Sequence, residues 1–266
     1  SIKSITAIST PIFALKSSDG TARIEMRANT GLYNTFIGVA SGRYNTTGYN
    51  NTANGVYSLY LNTTGYSNTT NGVYSLRSNT TGYSNTANGL NSLYSNTTGY
   101  SNTANGASSL YYNTTGYSNT ANGVSSLYYN TTGNYNTANG FYSLYNLAGN
   151  YNNNTALGYN AGRYQADGTT ALATPSQSVY ISSGAMGYNN SDVNSIVIGY
   201  LAKGIGANTV VLGNDSIVTT ALKGNVGIGT TNPTSLFSVG ATSQFQVSSA
   251  GAVTGVSYNG NTISTG

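Results

Sequence analysis

Apolar residues recur along this chain at neither the 3.6 spacing of an amphipathic helix nor the alternation of a long strand. Instead a single Leu returns every 17 residues, at Leu59, Leu76, Leu93, Leu110, Leu127 and Leu144, set among Ser, Thr, Asn, Gly and Tyr. The surrounding residues repeat with it. The unit Asn45-Thr-Thr-Gly-Tyr-Asn-Asn-Thr-Ala-Asn-Gly-Val-Tyr-Ser-Leu-Tyr-Leu61 starts again at Asn62, Asn79, Asn96, Asn113 and Asn130 without slippage. Degenerate copies flank the series at Asn34-Thr-Phe-Ile-Gly38 and, one residue late, at Asn154-Thr-Ala-Leu-Gly158. Gly, Asn, Thr and Ser are poor helix formers. The Thr-Gly and Asn-Gly pairs mark two turns per unit, with short β-capable stretches between them. Such units stack as coils of a parallel β-solenoid, which places equivalent residues about 4.8 Å apart and makes eight units roughly 38 Å long.

A shorter period follows. Asn194-Ser-Ile-Val-Ile-Gly199 recurs 14 residues later as Asn208-Thr-Val-Val-Leu-Gly213, with a looser echo at Asn225-Val-Gly-Ile-Gly229. The pattern divides the chain into four segments. Residues 1–31 form a strand-rich docking or cap segment, with short strands expected at Ile5–Ile8 and Ala22–Met26. Residues 32–164 form the 17-residue β-roll and residues 165–232 the β-roll of 14-residue type. Residues 233–266 form a neck or tail of short strands around Ser235–Val239, Gln244–Val247 and Ala252–Thr254. The expected fold is all-β.

Each unit offers about two core side chains, Val56 with Leu59 or Leu90 with Leu93. Their burial is small beside the entropy of ordering a whole coil. A lone chain is therefore expected to be too thin to stand by itself, and chains sharing one axis would pool their apolar faces. The expected particle is an obligate homotrimer.

The two 14-spaced motifs resemble the head repeats of YadA-like trimeric autotransporter adhesins. The Asn-Thr-Ala-x-Gly units, followed by Ser-Leu and joined by Asn-Thr-Thr-Gly, resemble a longer variant of them. Gly224-Asn-Val-Gly-Ile-Gly-Thr-Thr-Asn-Pro233 resembles a junction found in phage tail fibres. The resemblance spans residues 31–233 and implies a left-handed parallel β-roll, a homotrimeric fibre, an extracellular location and an attachment role. Two departures matter. Members carry an apolar residue before the Gly, as Ile37, Leu157, Ile198 and Leu212 do here, whereas the central repeats carry Asn54, Asn71, Asn88, Asn105, Asn122 and Asn139. Facing a trimer axis, these Asn would form a polar seam; facing a turn, each Asn-Gly pair would supply a positive φ. No long heptad stalk and no membrane-anchor strands appear before Gly266.

Tyr supplies the candidate binding chemistry. Tyr49, Tyr66, Tyr83, Tyr100 and Tyr117 share one repeat position; Tyr60, Tyr94, Tyr111, Tyr128 and Tyr145 share another, with Arg77 replacing Tyr once. Stacked in a solenoid, the first row would be either a flat amphipathic platform for sugars and protein side chains or a structural row that covers the coils. The Asn45, Asn62, Asn79, Asn96, Asn113 and Asn130 row fits the N-glycosylation pattern and equally an internal ladder of amides, and its strict register favours the ladder. Adjacent Thr46 and Thr47 on opposite faces would leave one outward Thr rank per coil, a thin basis for binding ice.

Composition narrows the function further. Charged residues make up 5% of the 266, against roughly 25% in ordinary soluble domains. There is no His and no Cys, which excludes thiol and His-based catalysis and zinc ligation by those residues. The five acids show no pairing for glycoside cleavage, and the repeats lack the Asp of calcium-binding rolls. A net charge of +4 spread along the chain is no nucleic-acid footprint, and no apolar run approaches a membrane span. No enzyme activity, cofactor or metal is expected. The function that fits is a structural, extracellular, adhesive fibre that binds host-cell or matrix glycans or proteins multivalently. A phage tail fibre and a self-assembling filament subunit are the alternatives.

Overall fold

A computed structural model describes residues 13–16, 22–29, 32–239, 245–249 and 253–255. The expected strand at Ile5–Ile8 lies outside them. Among the described residues the chain is all-β with no helix, a parallel β-solenoid of about 10 turns. Strands β1 (Phe13–Lys16), β2 (Ala22–Asn29) and β3 (Asn34–Ile37) pair antiparallel in chain order. From β3 onward every strand of this sheet pairs parallel with the next. The 17-residue units supply β4 (Thr52–Asn54), β5 (Thr69–Asn71), β6 (Thr86–Asn88), β7 (Thr103–Asn105), β8 (Thr120–Asn122) and β9 (Thr137–Asn139). The sheet continues through β10 (Thr155–Leu157), β11 (Val179–Ile181), β12 (Ile196–Ile198) and β13 (Val210–Leu212). Like residues sit opposite like: Thr86 pairs with Thr103, Ala87 with Ala104 and Asn88 with Asn105. The 14-residue spacing holds for the single step from β12 to β13.

A second compact unit begins at Ile217. The Asn225 echo therefore does not extend the ladder. Its strand β14 (Val226–Ile228) pairs parallel with β15 (Phe237–Val239), and β16 (Phe245–Val247) and β17 (Val253–Gly255) follow antiparallel. The three tail strands fall where the sequence puts them; β1 was not foreseen.

Each regular coil buries very little apolar matter. In the coil of β6 the interior is Ala87, Ser92, Leu93 and two Asn, Asn85 and Asn96, all 0–1% exposed. The expected pairing of Val56 with Leu59 and Leu90 with Leu93 in the core is only half right. Leu59 and Leu93 are fully buried, whereas Val56 and Leu90 are 36% and 51% exposed. The cause is the corner. Gly55 and its equivalents to Gly140 hold φ at 130–146°, where a Cβ would strike the backbone of the next coil; on Gly106 it would lie 2.6 Å from Gly123. The turn that follows places Tyr57 and Leu59 in the left-handed region as well, at φ 54° and 50°. Such backbone is unfavourable for residues with a Cβ and persists when its surroundings over-determine it. It also lets adjacent Ser58 and Leu59 both point inward while Val56 points out.

Amides complete the core. Asn62 Nδ2 donates to Asn45 Oδ1 at 2.6 Å, and the same bond recurs from Asn79, Asn96, Asn113 and Asn130 to the preceding coil at 2.7–2.9 Å. Each of these amides also caps its own bend, as Asn96 Nδ2 does by donating to Gly99 O at 3.0 Å. The row is internal, as its register suggested, and burial of its Asn side chains argues against glycosylation there. It stops where Leu147 takes the place of the next Asn, leaving Asn130 Oδ1 buried without a donor. A second internal row was missed by the sequence: Asn34, Asn51, Asn68, Asn85, Asn102, Asn119, Asn136 and Asn154 are all buried. From Asn34 to Asn136 the Oδ1 of each accepts the backbone N–H of its successor at 2.8–3.0 Å, and Asn154 Oδ1 accepts that of Ser178 at 3.2 Å.

Candidate functional site

The outer surface of the repeats is built from ranks of identical side chains. On the strands, Thr69, Thr86 and Thr103 form one rank and Asn71, Asn88 and Asn105 the next. The Asn rank, read from sequence as either a seam or a turn residue, lies on the outer face of the sheet. Asn71, Asn88 and Asn105 each donate Nδ2 to the Oδ1 of the next coil's Asn at 2.8–2.9 Å, while the positive φ belongs to the Gly alone. The Asn-Thr-Thr-Gly stretch is a bend rather than a strand. Its first Thr turns to the next coil, Thr80 Oγ1 donating to Thr97 O at 3.0 Å, and its second is exposed. Two outward Thr ranks result, one on the bend and one on the strand, where one was expected.

The five Tyr singled out by sequence form an unbroken stack. Ring centroids from Tyr49 to Tyr66, Tyr83, Tyr100 and Tyr117 are 4.9, 4.8, 4.8 and 4.7 Å apart, with planes within 6° of parallel. This spacing is the strand spacing, as expected. The geometry changes the platform reading, however. Each ring turns its faces to its neighbours, so the row presents edges and hydroxyls to solvent rather than open faces. Tyr135 closes the end edge-on to Tyr117 at 5.3 Å, and a hydrogen bond between their phenols holds the Tyr117 proton above its ordinary range.

The second row is broken by Arg77, as the sequence indicates, and the guanidinium lies 5.5 Å from the rings of both Tyr60 and Tyr94. A cation over a ring face is attracted by its quadrupole, so the Arg substitutes for a ring without opening the row. Beyond it Tyr94, Tyr111, Tyr128 and Tyr145 stack at 5.0, 5.2 and 5.1 Å. Tyr112 and Tyr129, at a repeat position that holds Leu61 in the first unit, add a third rank. Partial burial, and after it the crowding of neighbouring phenols, pushes Tyr128 up to about 12 and Tyr111 and Tyr145 above the usual range. Arg163 ends the array, 4.3 Å from the Tyr142 ring and 4.9 Å from that of Tyr145.

The chain shows no match to a family model, a curated protein or a solved structure.

Sequence reading also missed a groove of about 300 Å³ where the regular repeat gives way, lined by Tyr159, Tyr164, Tyr200 and Leu201 with the buried Met186. A signal was present: Tyr159 and Tyr200 each follow a corner Gly, Gly158 and Gly199. Among the described residues, no three Asp, Glu, His or Cys side chains gather as a metal site would require, and no helix is long and apolar enough to cross a membrane.

Proposed function

We propose that the chain is the rod of an extracellular adhesive fibre, a homotrimer of left-handed β-rolls that holds surface glycans or proteins through many weak, identical contacts. The observation that carries this reading is the coil-to-coil identity of the outer ranks. A ligand group that fits the Tyr83 edge meets the same edge at Tyr100 and Tyr117, 4.8 and 4.7 Å further on. Contacts that are weak singly become strong when tethered in parallel. The resemblance of the Asn194–Gly199 and Asn208–Gly213 motifs to trimeric adhesin heads supports the oligomer and the hand. The oligomer alone is supported also by the outward apolar residues Leu157, Leu201, Ile205, Val210 and Leu212, all 45–66% exposed on one chain, which other copies would cover. The role is structural and adhesive rather than catalytic, in keeping with a sequence without His or Cys.

The test is binding of the intact particle to cells and to an array of immobilised glycans, with Tyr83, Tyr100 and Tyr117 replaced together by Ser. The position already holds Asn134 in the sixth unit, so the fold should persist. Avidity is expected to fall by about 10-fold or more as parallel contacts are lost. Unchanged binding would discard the Tyr row as the adhesive face. Sedimentation at one chain per particle would discard the trimer.

A further inference from the structure

The chain has 25 Tyr and no Cys, so no disulfide ties one coil to the next. The stack instead brings phenol rings of successive coils together, and Tyr112 with Tyr129 is the stacked pair in which both rings are well exposed, the equally loose Tyr57–Tyr74 pair at 5.6 Å having Tyr57 part-buried. Tyr112 and Tyr129 are each 41% exposed and lie with centroids 5.5 Å apart and planes 5° from parallel. Both rings stand edge-on to Tyr128, at 5.3 and 4.8 Å. Their backbones are fixed in the ladder, Tyr112 N–H donating to Tyr128 O at 3.1 Å and Tyr129 N–H to Tyr145 O at 3.2 Å. The looser spacing and open surface leave the two side chains room to swing while their anchors stay put. Rings in the Tyr49–Tyr117 row are held closer, at 4.7–4.9 Å.

We propose that Tyr112 and Tyr129 are an oxidative cross-linking site, at which peroxide and a peroxidase-type one-electron oxidant join consecutive coils through a dityrosine bond. Each phenol loses one electron and its hydroxyl proton, giving a phenoxyl radical with spin on the ortho carbons. The radicals pair to form one carbon–carbon bond between ortho positions. The hydrogen on each of those carbons then leaves as a proton and is regained on the phenol oxygen, which restores both aromatic rings. In total two protons and two electrons leave the pair and convert one hydrogen peroxide into two waters. Edge-to-edge coupling requires rotation about side-chain torsions only. The bond would close a loop of one coil, 17 residues, and would constrain the unfolded chain as a disulfide does. Nothing in this depends on the adhesive reading.

The experiment treats the full chain with peroxidase and limiting hydrogen peroxide, then follows bityrosine fluorescence, the denaturing-gel band and the mass of digested peptides. The expected product is a linked peptide joining Tyr112 to Tyr129 in a band of single-chain size, with a yield that dilution does not change. Tyr112→Phe and Tyr129→Phe keep the ring and remove the phenol. Each should lose the linked peptide, with an unchanged circular dichroism spectrum before oxidation; if one variant alters that spectrum, the other is decisive. Tyr33→Phe removes a phenol that is 81% exposed and should keep the linked peptide. Cross-links that appear only between chains, oxidation that yields only hydroxylated Tyr, or a 112–129 signal that survives in the Phe variants would overturn the proposal.

Discussion

Two Asn residues three positions apart, in the same Asn-Thr-Ala-Asn motif, should respond very differently to truncation. Asn102 is buried and Asn105 lies on the outer face. Asn102→Ala removes the bonds that Nδ2 donates to Asn85 Oδ1 at 3.1 Å and Gly116 O at 2.8 Å. It also removes the acceptor for the backbone and side-chain N–H groups of Asn119, at 3.0 and 3.1 Å. The losses are unequal. Gly116 O keeps Asn113 Nδ2, Asn85 Oδ1 keeps the Asn102 backbone N–H, and Asn119 Nδ2 keeps Gly133 O. Only the Asn119 backbone N–H is left without its acceptor, at a fully buried residue. An orphaned buried donor costs about 1–3 kcal/mol and each of the three other lost bonds about 0.5–1.5, which places Asn102→Ala at roughly 2.5–7.5 kcal/mol.

Asn105 donates to Asn122 Oδ1 at 2.9 Å and accepts from Asn88 Nδ2 at 2.8 Å, but water replaces both partners once the side chain is gone. Asn105→Ala should cost below about 1 kcal/mol. Urea unfolding of both variants and the wild type, at equal chain concentration and followed by far-ultraviolet circular dichroism, gives the comparison. Amide exchange adds a local reading, since Asn119 N–H should lose protection in Asn102→Ala and keep it in Asn105→Ala. Equal costs for the two variants, or full protection of Asn119 in both, would refute the assignment of inner and outer rows.

Two further outcomes are expected. Thr70 stands where the other central strands carry Ala, and its buried hydroxyl has no hydrogen-bond partner; Thr70→Val keeps the shape, removes the orphan and should raise the urea midpoint by the equivalent of about 1–2 kcal/mol, a gain that a lowered midpoint would contradict. Burial pushes the Asp192 carboxyl above its ordinary 3.8, with Oδ2 accepting from the Tyr188 N–H at 2.8 Å and Oδ1 unpartnered. Below 3.8 folded and unfolded chains both hold this proton and its contribution to stability is full. As pH rises the unfolded chain releases it first, so stability falls until the folded group also ionises. Melting temperature measured from acid to neutral pH should therefore decline less steeply in Asp192→Asn than in wild type, and identical slopes would show that Asp192 does not titrate differently on folding.

The period was the legible part of this sequence. A 17-residue repeat with one fixed Leu specifies parallel stacking, the register of like on like, and the spacing of the Tyr row. What could not be read was orientation within the coil. Alternation predicts facing only along a straight strand, and each strand of the 17-residue units has three residues before a corner Gly. Past that corner the left-handed residues re-aim the chain, so Val56 faces out although its apolar character suggests the core. Asn102 and Asn105 are chemically identical, and only the bends that supply Gly116 O and Gly99 O as partners decide which amides are inside. The Tyr row was found by position, but whether rings offer faces or edges depends on side-chain torsions that a repeat pattern does not encode.

A chain made of copies has a problem that its repeats cannot solve. Any coil fits on any other, so a shift by whole units leaves every Asn ladder intact and every Leu buried. The flanks remove that freedom. At one end the antiparallel strands β1 and β2 meet β3, whose interior residue is Phe36 rather than Ala. At the other end the polar interior gives way to an apolar one. The first Asn row ends at Leu147, the second passes from Asn154 to Ser178, and Leu172, Tyr180 and Val197 fill the space. The outer face changes in step, from Asn139 to Leu157, Ile181, Ile198 and Leu212. A coil shifted across this boundary would set amides against aliphatic side chains, and buried amides without partners are costly. The middle of the ladder supplies repetition and its dissimilar flanks supply register, which is why the departures from the repeat carry as much structural information as the repeat itself.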